Sequence, residues 1–301
     1  MIRRRLIALW LELLGRLLSF RRGAAPILVT LALAGCAGSE PGLIYPTASD
    51  YRIHGVDVSK YQGDIDWNTV EQSGIKFAWI KATEGGDFYD EKFSRNWELS
   101  KQAGIVRGAY HFMYWCRPAE EQAQWFIEHV PKDPSALPPV LDVEWNGSSK
   151  TCPRRVARSV ALAEMKVVLA AMEQAYGKKP VIYTSIDFYH DVIEGSLTEY
   201  PLWMRSVKCN PALKYGKRRW HFWQHTEHAR IPGIRGNVDE NAFYGTPRQW
   251  NAFLALASDA PEPEPSGTPE AQAAPGSTSQ GAPEPQGAID MQSIPASEAQ
   301  N

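Results

Sequence analysis

Charge of one sign is not in excess. Lys and Arg number 32 against 34 Asp and Glu, for a net charge of −2, which argues against a nucleic-acid binder, whose domain would usually carry a basic face. Metal signatures are missing as well. The seven histidines include no His-Glu-x-x-His, and His221, His225 and His228, although close in sequence, read as solvated strand-end or loop residues. A zinc site needs three or four ligands in order, so no metal is expected. There is no Gly-rich phosphate loop and no Gly-x-Ser-x-Gly elbow. Nor is the apolar run Ala24–Ala34, broken by Thr30, long enough to span a bilayer, which takes about 20 apolar residues.

That run fits an export signal instead. Arg3, Arg4, Arg5, Arg16, Arg21 and Arg22 precede it with only Glu12 opposing them, the positive n-region and short apolar core of a secretory signal. It ends in Leu33-Ala34-Gly35-Cys36, which resembles the lipobox of bacterial lipoproteins, where cleavage precedes the Cys and its thiol carries diacylglycerol. An ordinary signal peptide with a chance Cys36 is the alternative. At the other end, 259–301 is almost all Pro, Ala, Glu, Gln, Gly and Ser, without an aromatic residue. Such a segment cannot bury enough apolar surface to offset its ordering entropy. The expected organisation is a signal peptide at 1–35, a tether at 36–50, one folded domain at 51–258 and a disordered tail at 259–301.

Within the folded part, apolar runs alternate with helical patterns. The runs are Ile53–Val58, Phe77–Thr83, Val106–Phe112, Val140–Val143, Val181–Thr184, Leu202–Ser206, Trp220–Gln224 and Asn237–Asn241, several with the unbroken hydrophobicity of strands buried on both faces. Helices are expected at Asp90–Ala103 with Asp90 as N-cap, at Pro118–Val130, and at Pro153–Tyr176. Thr246-Pro247-Arg248-Gln249 has the form of a capping box before a last helix. The last three strands follow one another with little helix between them. The expected fold class is α/β, an irregular TIM-like β/α barrel, with an open doubly wound sheet as the alternative. Cys116 and Cys152 each follow an expected strand at neighbouring mouth loops, and an exported protein permits a disulfide. They are the favoured pair, with Cys209 outside it; three buried thiols would be the alternative.

The polar residues collect at the strand ends. Asp57 lies near the end of the first strand, His111 ends the third, Asp142 and Glu144 close the fourth, and Asp239 sits on the last. Parallel barrels build their sites at the C-terminal strand ends, so four carboxylates should converge on one mouth, where like charges raise one another's pKa values. In Asp142-Val143-Glu144 the alternation of a strand sends both acids inward, about 6–7 Å apart, and Val143 outward. Glycoside hydrolysis requires such a pair: a proton for the leaving oxygen, and a carboxylate to support the positive charge that develops. Tyr110, Tyr183, Trp203 and Trp223 are candidate sugar platforms, though any of them could equally be core. Lys81 is a candidate substrate contact or a neutraliser of the acidic mouth.

The same residues carry a family resemblance. His54-Gly55-Val56-Asp57-Val58-Ser59, Tyr61-Gln62-Gly63 and Ile65-Asp66-Trp67 resemble the opening of glycoside hydrolase family 25, the Chalaropsis-type lysozymes. Phe77 to Gly85, Gly108 to Phe112, Leu141 to Glu144, Pro180 to Thr184, Phe222 to Gln224 and Val238 to Asn241 continue the match in order. The resemblance implies an N-acetylmuramidase without metal or organic cofactor. Glu144 would be the general acid, and Asp142 its partner, steering the substrate's own acetamido group or acting directly. Asp57 and Asp239 would complete the site. Arg205, where many relatives have a small residue, departs from the pattern and touches substrate preference rather than the acids. The implied partners are peptidoglycan glycan strands, with a membrane reached only through the lipid on Cys36. The chain would be a monomer in the periplasm, anchored to the outer or inner membrane, with Ala37 favouring the outer. A catalytically silent wall-binding lipoprotein and a glycosidase of another amino-sugar polymer, such as chitin, are the rival readings.

Overall fold

The computed structural model describes residues 45–256. Cys36, the expected signal peptide at 1–35 and the expected tail at 259–301 lie outside the described residues. Among the described residues nine strands form: β1 His54–Val58, β2 Phe77–Glu84, β3 Phe88–Tyr89, β4 Val106–Phe112, β5 Val140–Val143, β6 Val181–Thr184, β7 Leu202–Arg205, β8 Phe222–Ala229 and β9 Val238–Phe243. All but β3 join in the order β1-β9-β8-β7-β6-β5-β4-β2, and β1 pairs with β2 to close the ring. The barrel expected from the alternation of runs is therefore the fold, and the open sheet is not.

From β1 through β8 the neighbours are parallel. The last strand, β9, is antiparallel to both β8 and β1. The reason is covalent. The segment 230–237 joins β8 to β9 directly, and a short connection can only return a strand antiparallel, whereas a parallel neighbour needs a crossover of a dozen or more residues. The reversal has a consequence for the site, because it brings the beginning of β9, not its end, to the mouth. Asp239 thereby lies opposite Asp57.

The helices are α1 Trp67–Gln72, α2 Phe93–Gln102, α3 Ala119–His129, α4 Arg158–Tyr176 and, after a short helical segment at 186–193, α5 Pro247–Leu256. Two helix starts differ from expectation. Asp90 does not cap α2, which begins after Lys92; its carboxylate instead accepts from the backbone N–H of Lys92 and of Lys60, both at 3.0 Å. It thus pins the turn Lys60–Gln62 to the barrel. Pro153 does not open α4, which starts at Arg158 behind the extended Ala157, since the Cys116–Cys152 disulfide holds the preceding chain at the mouth. At α5 the box forms as expected: Thr246 N–H donates to Gln249 Oε1 at 2.7 Å and Gln249 N–H to Thr246 Oγ1 at 3.3 Å.

Alternation along the strands divides the core in two. Outward residues such as Val56, Ile80, Leu141, Val143 and Ile182 pack with the helices. Inward residues Phe77, Trp79, Val140, Val181, Tyr183, Trp203 and Phe222 fill the barrel, and Trp250 and Phe253 of α5 join them as a plug. Two inward positions must lack a side chain for these rings to fit. A Cβ on Gly55 would sit 2.4 Å from the Phe77 ring, and one on Gly108 would sit 2.1 Å from Trp79. The apolar filling closes one end, so the polar inward residues are left to the other.

Candidate active site

At the open end lies a cavity of about 280 Å3, bordered by Asp57, Tyr61, Lys81, Tyr110, Asp142, Glu144, Tyr183, Gln224 and Asp239. All four sequence-derived carboxylates are therefore brought together. Glu144 stands one residue beyond β5, and its backbone carbonyl accepts from Trp115 Nε1 at 2.7 Å, which fixes the point from which its side chain projects. Burial pushes its carboxyl up to about 7; Arg205 opposes the shift and the charges of Asp187, Glu227 and Asp239 add to it. Arg205 is itself engaged, since its Nε donates to Glu227 Oε1 at 2.7 Å. Asp142 is 7% exposed. Burial, then the charge of Glu144, raises its pKa well above the usual carboxylate range, with Lys81 opposing. Its Oδ1 is buried with no hydrogen-bond partner among the described residues.

Asp57 and Asp239 form a second pair, held by two amides. Asn241 Nδ2 donates to Asp57 Oδ2 at 2.8 Å. Gln224 Nε2 reaches Asp57 Oδ2 and Asp239 Oδ2, each at 3.1 Å. Burial lifts Asp57 to about 6, against the donors of Asn241 and Gln224. Asp239 is lifted to about 8 by burial and then by the Asp57 charge. Asp239 therefore keeps the proton of the pair near neutral pH, and Asp57, with more donors, carries the charge.

The aromatic candidates separate. Tyr110 and Tyr183 line the cavity, and Tyr183 Oη donates to Gln224 Oε1 at 2.8 Å. Trp203 lies beneath it, stacked on Trp79 with centroids 5.5 Å apart. Its Nε1 donates to Asn241 Oδ1 at 2.7 Å, so it anchors the amide that holds Asp57 rather than offering a face to sugar. Trp223 follows an inward residue and so points outward, into the helix-side core, with Nε1 donating to the Ser206 carbonyl at 2.8 Å. Lys81 is paired with Glu84 and lies 5.2 Å from the Phe112 centroid, at the mouth yet already neutralised. His111 faces away, hydrogen-bonded to Thr83 at 2.7 Å, and burial depresses its pKa to about 4. His221 is buried against Phe253 and His228 meets Asn237 at 3.0 Å, so the three clustered histidines part company.

Six cavity residues escaped the sequence reading in any assigned role: Val58, Ser59, Tyr61, Gln62, Phe112 and Gln224. Tyr61 is 82% exposed on the turn that Asp90 pins, an uncovered ring beside an acidic cleft. Gln224 lay within a quoted motif, and its inward parity on β8 was the signal that could have found it.

The sequence profile of glycosyl hydrolases family 25 matches residues 56–234. The chain belongs to glycosyl hydrolase family 25. The match runs from β1 to the turn before β9, so it takes in Asp57, Asp142 and Glu144. The family 25 chain is 39% identical to the protein YegX of Escherichia coli strain K12 over 220 residues, covering 71% of this chain and 77% of that one. It is 33% identical to Lysozyme M1 of Streptomyces globisporus over 238 residues, covering 74% and 77%. Among solved structures, the family 25 glycosyl hydrolase of Bacillus anthracis superposes with a TM-score of 0.64 at 38% identity, covering 71% of this chain and 99% of that one. This family 25 protein is a glycoside hydrolase.

Proposed function

We propose that the protein is a peptidoglycan muramidase that cleaves the β-1,4 bond between N-acetylmuramic acid and N-acetylglucosamine, with Glu144 as proton donor. The observation that carries the assignment is the raised Glu144 carboxyl beside a buried Asp142 oxygen that awaits a donor. Glu144, at about 7, retains its proton into the neutral range, as a general acid must. Asp142, two residues back and turned to the same side, presents a buried oxygen without a donor among the described residues.

An acetamido N–H of the muramic sugar supplies that donor. Bonding to it favours the ionised form of Asp142 and aims the acetamido carbonyl oxygen at the anomeric carbon. That oxygen forms the new bond as the glycosidic oxygen leaves with the Glu144 proton. Water then opens the ring so formed, returning its proton to Glu144. Asp57, held ionised by Asn241 and Gln224, adds negative field as positive charge develops. Tyr61, exposed at the rim, provides a stacking face for the adjoining sugar.

Relatives bearing the names Lysozyme M1 and N,O-diacetylmuramidase support the substrate class. Reducing-end analysis of digested peptidoglycan tests it: new muramic-acid ends are expected. New glucosamine ends, or chitin cleaved and peptidoglycan left intact, would refute the assignment. The lipobox-like sequence ending at Cys36 supports a lipid anchor in the periplasm, and Ala37 after it favours the outer membrane. Labelled palmitate should be lost in Cys36→Ala, and label retained there would remove the anchor from the account.

A further inference from the structure

On β1, β8 and β9 the inward residues Asp57, Gln224 and Asp239 belong to the acid network. Parity therefore turns His54, His225 and Glu240 to the opposite, outer face of the barrel, where they meet. One ligand-capable atom from each lies within 4.8 Å of the other two. His54 Nδ1 is 3.0 Å from Glu240 Oε1, and His225 Nε2 is 4.0 Å from the same oxygen. The imidazole rings stand edge to face, 5.9 Å apart.

Two details distinguish this cluster from a surface ion pair. His54 Nε2 is 2.9 Å from the Tyr51 carbonyl. A carbonyl only accepts, so Nε2 donates to it, and Nδ1 is turned into the cluster, where it donates to Glu240 Oε1 and would exchange that proton for a metal ion. A histidine ligand is typically oriented in this way, by a backbone acceptor on its other nitrogen. The second detail is His225 Nε2, which is buried and has no hydrogen-bond partner among the described residues. The ion pair between His54 and Glu240 satisfies those two residues and leaves this nitrogen 4.0 Å from the Glu240 oxygen, beyond hydrogen-bond reach.

We propose that His54, His225 and Glu240 form a binding site for one transition-metal ion of the zinc class. Zinc holds nitrogen and carboxylate oxygen at about 2.0–2.2 Å, which places tetrahedral ligands about 3.4 Å apart. The separations of 3.0 and 4.0 Å straddle that value, so small side-chain rotations complete the set. Two imidazoles and one carboxylate suit zinc, cobalt, nickel or copper rather than calcium or magnesium, which prefer all-oxygen sets. The fourth position is left to water. His225 also borders a cavity of about 340 Å3 shared with Pro46, Asn210 and Trp223, which gives the ion a way in.

The ion's role is structural. It joins β1, β8 and β9, the antiparallel seam where the barrel closes. Glu240 and His225 are sequence neighbours of Asp239 and Gln224, so the ion would stiffen the backbone beneath the second acid pair without touching substrate.

The full chain, stripped with chelator and titrated with Zn2+ by calorimetry slightly above neutral pH, tests the site. One equivalent should bind and raise the melting temperature. His225→Ala should weaken binding by more than about tenfold while leaving the metal-free rate on peptidoglycan unchanged, and Glu240→Gln should weaken binding likewise. Co2+ should give visible absorption bands in the wild type that are lost in both variants, a readout that does not depend on turnover. Absence of saturable uptake at millimolar zinc, or equal affinity in wild type and His225→Ala, overturns the proposal. So does binding that survives His225→Ala and is lost in Cys209→Ser, which would move the metal to the thiol across the same cavity.

Discussion

Replacing Glu144 by Gln should cost activity and add stability, and the two effects should separate with pH. The carboxyl stands at about 7 in the fold against an ordinary value of 4.5. A group raised in this way contributes stability that is fully present below its unfolded value and lost as pH rises through its folded value. At about 1.4 kcal/mol per tenfold change, the displacement corresponds to about 3 kcal/mol of cost at pH near 8. The side chain borders an open cavity, so solvent screening trims the figure to about 2–3 kcal/mol. Gln keeps the size and polarity of the neutral acid but never ionises. The variant should therefore melt about 4–12 °C above wild type near pH 8, for a domain of this size, and almost level with it near pH 4. Turnover of purified peptidoglycan should fall about 10²–10⁴-fold, because the amide cannot protonate the leaving oxygen. Calorimetric melting across that pH range, beside release of muramic-acid reducing ends, checks both halves. An equal stability change at both pH values would mean that packing and not charge is responsible. Near-wild-type turnover would remove Glu144 from the mechanism and favour a wall-docking role for the cleft.

Wild-type kcat/KM should decline as pH rises through about 7, where Glu144 loses its proton; a profile flat to well above that value would contradict the acid role. Asp142→Asn should lose turnover by about 10²–10⁴-fold with glycan binding retained in a pull-down, and loss of binding in proportion would make it a substrate anchor only. Asp57→Asn should impair turnover more than Asp239→Asn, by about tenfold. The first change sets an amide against the donors of Asn241 and Gln224, and the second keeps a donor facing Asp57; the reverse order in steady-state kinetics would refute the assignment of charge within the pair. Arg107 is 2% exposed, bonds Asp133 at 2.6 Å and lies 4.3 Å from the Trp97 centroid. Arg107→Ala should cost about 3–5 kcal/mol in chemical denaturation, and a loss below about 1 kcal/mol would show that the pair behaves as a surface one.

Local pattern by itself determined much of this protein. The apolar runs place every barrel strand, the capping box at Thr246 starts α5, and the spacing of Asp142 and Glu144 directs both acids inward. Each of these is written in neighbouring residues, through the two-residue period of a strand or the geometry of a first helical turn. What the tertiary structure alone decided depends on partners distant in sequence. β9 runs antiparallel because its connection is too short to cross over, and only that reversal sets Asp239 against Asp57. Trp203 and Trp223 look alike in sequence. Ring closure makes one an anchor beneath Asn241 and buries the other outside the barrel, since a large indole with one N–H is placed by whatever surface and acceptor the fold brings to it. Asp90 has the form of a helix cap, yet it serves the Lys60 backbone because that turn packs beside it. His225 gives no sign in sequence of a relation to His54 and Glu240. Three strands meeting at the seam of a closed barrel create that relation, and no local pattern can encode where a sheet meets itself.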